Sequence, residues 1–200
     1  MQPFDHVVLE ERLKRCGARE RVLFACLCAE RLLPGYVHFK EIAGWGDATL
    51  LGSCLDLGFR CAAGSETPPQ NINELVDRCD EVTPSSEEFD MPEVVHAQNC
   101  GLAVVYALEA LSHGAAADAA YSAQKAYETV DSFLARRLGL RTGTLTPDVQ
   151  RLIDDHELMR REIQKQHEDL ERLSALTVLD EQVVETLRED NRRYVIPFED

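Results

Sequence analysis

The chain has 200 residues, enough for one domain whose core buries about two-thirds of the unfolded surface. Its 36 acidic against 21 basic residues leave a net charge of −15, and the densest basic pairs (Arg136-Arg137, Arg160-Arg161, Arg192-Arg193) lie among acids or apolar residues. That field repels phosphate backbones, so no nucleic-acid partner is expected. A hydrophobic share of 44% argues against a disordered chain.

Helical periodicity runs through nearly the whole sequence, with no run of strand alternation. Val8, Leu9 and Leu13 share one side of a helix over 4–16, which Gly17 is expected to end as a C-cap. Residues 20–33 are apolar on most faces, and Pro34-Gly35 is expected to stop that helix. A short helix over 36–43 leads to the Gly44-Trp45-Gly46 turn, after which Asp47 reads as the N-cap of a helix reaching Ala63. Asn71 or Asn73 opens a helix ending near Val82.

Ser85 and Glu88 have capping-box spacing ahead of a helix that starts by Pro92 and runs to Ser112. His113-Gly114 breaks it. From 115 to 138, Ala119, Ala123, Ala126, Val130 and Phe133 recur at helical spacing, a small-residue stripe that lets a neighbouring helix approach closely. Thr146-Pro147-Asp148 is a strong start signal, and the helix it opens should reach Leu176, roughly 43 Å at 1.5 Å per residue. The loop over 139–144 separates it from the alanine-rich helix, and a last helix over 180–190 precedes the tail 194–200. The expected fold is all-α: one domain over 1–200, a bundle of about seven to eight helices in which 148–200 forms a C-terminal helical hairpin.

Seven cysteines are scattered through apolar stretches, an odd number that does not suggest a disulfide framework. The N-terminus lacks a basic region followed by an apolar run, which predicts a cytoplasmic chain with reduced thiols. The most apolar stretch, Val94 to Leu111, is interrupted by His96, Gln98, Asn99 and Glu109, so it reads as a core helix and no membrane partner is expected.

Cys26-x-Cys28 has neither zinc-knuckle nor C-x-x-C redox spacing. Glu93-x-x-His96 matches half of a di-iron bundle pair, but no second Glu-x-x-His completes it. His156 and His167 lie too far apart to share a metal. No nucleophile elbow, P-loop or dinucleotide fingerprint occurs. No residue is therefore assigned a catalytic, cofactor-binding or metal-binding role.

Two features point to partners. A 3.5-residue stripe (Val149, Leu152, His156, Met159, Ile163, Gln166, Leu170, Leu173) suits either a homodimer seam or a long outer helix of the same bundle. The stretch 66–93 holds nine acids and one base, Arg78, hence −8 of the total charge. It reads as a solvated face or as a docking surface for a basic protein. The expected function is non-enzymatic, through protein–protein contacts. The alternative is a metal-binding bundle protein or enzyme with Glu93 and His96 between helices.

Phe24-Ala25-Cys26-Leu27-Cys28 with Glu30-Arg31, Pro34, Tyr36 and Phe39 resembles the N-terminal signature of the YjaG-like family of bacterial proteins. Gly46-Asp47, Leu55-Asp56-Leu57 and Pro84-Ser85 with Phe89-Asp90 continue the likeness in order, from about 20 to 196. That family is a domain of unknown function. The resemblance implies a helical, cytosolic protein and supplies no catalytic residue, cofactor or substrate.

Overall fold

The computed structural model describes residues 4–140, 146–194 and 196. Among these described residues ten helices follow one another: α1 His6–Leu13, α2 Ala18–Glu30, α3 Leu33–Ala43, α4 Ala48–Ala63, α5 Ile72–Glu81, α6 Glu93–His113, α7 Ala116–Arg137, α8 Pro147–Asp154, α9 Glu157–Ala175 and α10 Glu181–Arg192. No strand occurs among the described residues. The all-α class is as expected. The number of helices exceeds the expected seven to eight, because short segments stand as separate helices and the longest expected one is broken.

That break falls at His156. Asp155 ends α8 in helical geometry, while His156 turns extended (φ −68°, ψ 143°) and its Nδ1 accepts from Leu158 N at 3.2 Å. The continuous helix expected near 148–176 is thus two helices, with a histidine N-cap between them. Other boundaries shift for equally local reasons. Gly17 is extended rather than left-handed, so it opens α2 instead of closing α1. Pro34 sits in the first turn of α3, where its missing N–H costs nothing. Residues 85–89 close a single turn, with Ser85 Oγ accepting from Glu87 N, and α6 begins only after Pro92. The loop after Leu140 and the tail after Ile196 lie outside the described residues.

Helices α2, α6 and α7 pack together as the centre of the bundle. The alanine stripe of α7 faces inward as expected: Ala119, Ala123, Ala126, Val130 and Phe133 are all buried. Small side chains bring three backbones so close that Ser122 Oγ lies 2.9 Å from Ala25 O and 3.2 Å from Ala103 O. Helix α6 is long and apolar enough by composition to cross a membrane, and two-thirds of its most apolar window is buried in this bundle.

The outer helices attach to that centre. α3 and α5 lie on α6, α4 on α2 and α6, α9 on α7 and α2, and α10 on α4 and α2. At the α3–α4 turn, Tyr36 Oη donates to Val82 O and accepts from Asp47 N at 3.1 Å. Gly46 makes this possible. Its φ is 98°, and a Cβ there would lie 2.5 Å from the Tyr36 hydroxyl.

Candidate functional site

A charged group lies inside the bundle where α2, α9 and α10 meet. Arg31, just past the end of α2, has a fully buried side chain. Its Nη2 donates to Glu162 Oε1 at 2.8 Å and its Nε to Glu162 Oε2 at 3.2 Å. Nη1 faces Asp169 Oδ2 at 3.1 Å, Asn191 Oδ1 at 3.0 Å and Leu27 O at 3.2 Å. Lys165 pairs with Asp169 one turn away, and Gln166 Nε2 donates to Glu162 Oε1 and Ala123 O. Burial works against the Arg31 charge, but its negative neighbours, Glu162 foremost, outweigh it and hold the guanidinium charged.

Two cations and two anions cancel, and they bond to one another and to the neutral groups Leu27 O, Asn191 and Gln166. Such a network fixes the register of helices but presents no activated group to a substrate. By residue type alone, Glu162, Lys165 and Asp169 belong on a solvated helix face. They are buried, together with Met159, Ile163, Leu170 and Leu173. From Met159 on, the stripe is thus occupied within the chain, on a helix packed against α7 and α2. Leu152 drops out of it and is exposed, because the break at His156 turns Ile153 inward instead.

Beside this group, Glu30 accepts from Arg188 Nε and Nη2 at 3.0 and 2.8 Å and from Asn191 Nδ2 at 2.9 Å. Arg188 also donates to Asp56 and lies over the Phe59 ring at 3.9 Å. Glu30 thus has the charge partner that its apolar helix demanded, and it is not the adjacent Arg31.

Glu93 and His96 stand one turn apart at the start of α6. Glu93 accepts from Arg136 Nη1 at 2.9 Å. Burial opposes the Glu93 charge, but its own backbone amide and Arg136 hold the carboxyl below its usual range. His96 is buried near Phe133, and burial, with Arg136 adding, pulls its pKa down to about 4. Among the described residues no three His, Cys, Asp or Glu side chains converge as a ligand set. A cavity of about 480 Å³ at the ends of α2, α4 and α6 has apolar walls, including Val22, Cys61, Ala62 and Leu111. Its Arg19 guanidinium is engaged by Ala62 O and Leu179 O.

The acidic stretch lies along α5 and the segment leading to α6. Asp77, Asp80, Glu81, Glu87, Glu88 and Asp90 are exposed, and none has an ion-pair partner among the described residues. Burial and the Asp77 charge push the Asp80 carboxyl up. The backbone beneath is anchored: Ile72 and Cys79 are buried, and Phe89 packs edge-on against Phe39 at 5.2 Å and beside Trp45 at 5.3 Å.

All seven cysteines are buried thiols. Cys79 and Cys54, 25 residues apart, touch across the α4–α5 contact with sulfurs 3.6 Å apart. Nothing in their spacing signals this meeting.

The protein is thus an all-helical bundle with an internally neutralised charged centre and an exposed acidic stretch along α5 and the segment after it. It belongs to the DUF416 family, described as a protein of unknown function, whose profile matches residues 8–195. The uncharacterized protein YjaG of Escherichia coli (strain K12) is 29% identical over 112 residues, covering 49% of this chain and 56% of that protein. The aligned part therefore spans little more than half of that relative. A crystal structure of a DUF416 family protein from Shewanella baltica OS155 superposes with a TM-score of 0.80 at 23% identity, over 92% of this chain and 93% of that one. The shared fold agrees with the likeness carried by the motifs between Phe24 and Asp90.

Proposed function

We propose that this chain is a non-enzymatic, cytoplasmic interaction protein that docks a basic protein partner on the face formed by α5 and residues 83–93. One observation carries the reading. Six exposed carboxylates between 77 and 90 have no ion-pair partner among the described residues, and Arg78 is the single cation in that span. They are held on an anchored backbone with like charges close by, and burial first, then the Asp77 charge, pushes the Asp80 carboxyl up. A lysine- or arginine-rich surface relieves that repulsion and is steered toward it over a Debye length of about 8 Å at physiological salt. The same charge opposes self-pairing through this face, so a homodimer would use another surface.

Zero-length carbodiimide coupling tests the reading, because it joins carboxylates to amines only where they touch. In lysate, cross-links to partner lysines should concentrate on Asp77, Asp80, Glu81, Glu87, Glu88 and Asp90. Cross-links that instead fall evenly over the acids of α9 and α10 would remove this face from consideration.

A further inference from the structure

We propose that Cys54 and Cys79 are a reversible oxidation site, closing under peroxide into a disulfide that ties α5 to α4. The proposal does not depend on the docking reading. The two sulfurs sit 3.6 Å apart, with the Cys79 thiol donating to Cys54. Closing that contact to the roughly 2.05 Å of a disulfide bond brings the sulfurs about 1.5 Å nearer. No other two cysteines hydrogen-bond to each other among the described residues.

Cys54 carries the reactive thiol of the pair, while the hydrogen bond to Cys54, and then burial, hold the Cys79 thiol up until Cys54 is oxidised. Burial pushes the thiols of Cys26, Cys28, Cys61 and Cys100 up, leaving them as inert packing groups. Cys54 shifts the other way: the Cys79 hydrogen bond first, and then the Arg78 charge, favour its thiolate. Access comes at the edge of the bundle: α5 packs chiefly on α6 and only thinly on α4, so a local opening of the α4–α5 contact admits peroxide while the anchors on α6 stay in place.

The chemistry balances with peroxide as the oxidant. The Cys54 thiolate attacks one peroxide oxygen, the O–O bond breaks, Cys54 becomes a sulfenic acid, and the departing hydroxide takes up the proton Cys54 had released and leaves as water. The Cys79 sulfur then attacks the Cys54 sulfur, and the S–O bond breaks. A second water leaves, carrying the Cys79 proton. Two thiols and one peroxide give one disulfide and two waters.

Full-length protein, reduced and desalted, is treated with hydrogen peroxide beside free glutathione as a reference thiol. It is then denatured in an alkylating agent and digested. The expected product is a Cys54–Cys79 linked peptide, lighter by two hydrogens, with the other five cysteines alkylated, and lost again on dithiothreitol treatment. Cys79→Ala should lose the link and accumulate sulfenic acid on Cys54. If that variant does not fold, Cys54→Ala should show Cys79 fully alkylated. Complete alkylation of all seven thiols once glutathione has been oxidised would overturn the proposal. So would over-oxidation of Cys54 without any link, or a link from Cys79 to another cysteine.

Discussion

Arg31 and Glu162, 131 residues apart in the chain, meet as a bidentate ion pair with neither side chain reached by solvent. Replacing one member strands the other charge in the interior, which typically costs about 3–5 kcal/mol. Arg31→Met should therefore lower the thermal midpoint by roughly 2–4 °C per kcal/mol for a chain of this size. Calorimetry checks this, and a drop no larger than that of a surface substitution would show that the pair does not hold α2 to α9.

Glu30→Ala should be less severe, about 1.5–3 kcal/mol for lost hydrogen bonds to a charged group. Arg188 keeps Asp56 and the Phe59 ring when Glu30 is gone. Asp47→Ala removes the acceptor for Thr49 N and Leu50 N at the start of α4, and such a cap is worth about 1 kcal/mol. Denaturant melts of both variants should preserve that order.

Gly46→Ala should cost more than about 1 kcal/mol, because alanine strains at φ 98° and its methyl displaces the Tyr36 hydroxyl. Tyr36→Phe should cost about 1–3 kcal/mol by leaving Val82 O and Asp47 N without their partner. The double variant should fall short of the sum of the two, since both act on one hydroxyl. Full additivity would separate the turn from the hydroxyl.

The pH dependence of stability should carry a His96 component. Burial, followed by the Arg136 charge, lowers its folded-state pKa to about 4 from an ordinary 6.5. Between those values the unfolded chain holds the proton and the folded chain does not, so stability falls as pH drops through that window. Glu109, Asp118 and Asp131 have raised pKa values and oppose the trend in its lower part. The His96 share is therefore read as the difference from His96→Gln, whose melting curve should lose less between pH 6.5 and 4. Parallel curves would contradict a neutral buried imidazole.

Much of this architecture was legible because helix ends are written in local chemistry. Asp47, Thr146 and Asp180 accept from the first-turn amides where capping residues should stand, and Gly64 and Gly114 close α4 and α6 in left-handed geometry. His156 hid its break, since an imidazole capping an amide leaves the 3.5-residue spacing around it intact. The charged centre was hidden by composition. Glu162, Lys165 and Asp169 look like solvent-facing residues until a buried partner is known, and that partner is 131 residues away. Their spacing of three and four did place them on one face, and an arginine at the end of the apolar helix α2 was the complementary signal. Many of the residues that carry the family likeness (Glu30, Arg31, Tyr36, Gly46, Asp47, Asp56, Phe89) turn out to join helices to one another. That explains how a fold can be recognised from them without an activity.

The docking reading rests on charge, so the most direct measurement removes charge and leaves shape. Asp77→Asn, Asp80→Asn, Glu81→Gln, Glu87→Gln and Glu88→Gln combined touch only exposed side chains and should leave the circular dichroism spectrum and melting point within about 0.5 kcal/mol per site of wild type. Titrating the cross-linked partner against wild type and this variant, at low and at physiological salt, separates the outcomes. The account predicts that wild type binds and weakens steeply with salt, while the neutralised variant loses at least about tenfold in affinity, near 1.4 kcal/mol, and most of the salt dependence. Equal affinity and equal salt dependence for the two proteins would contradict it.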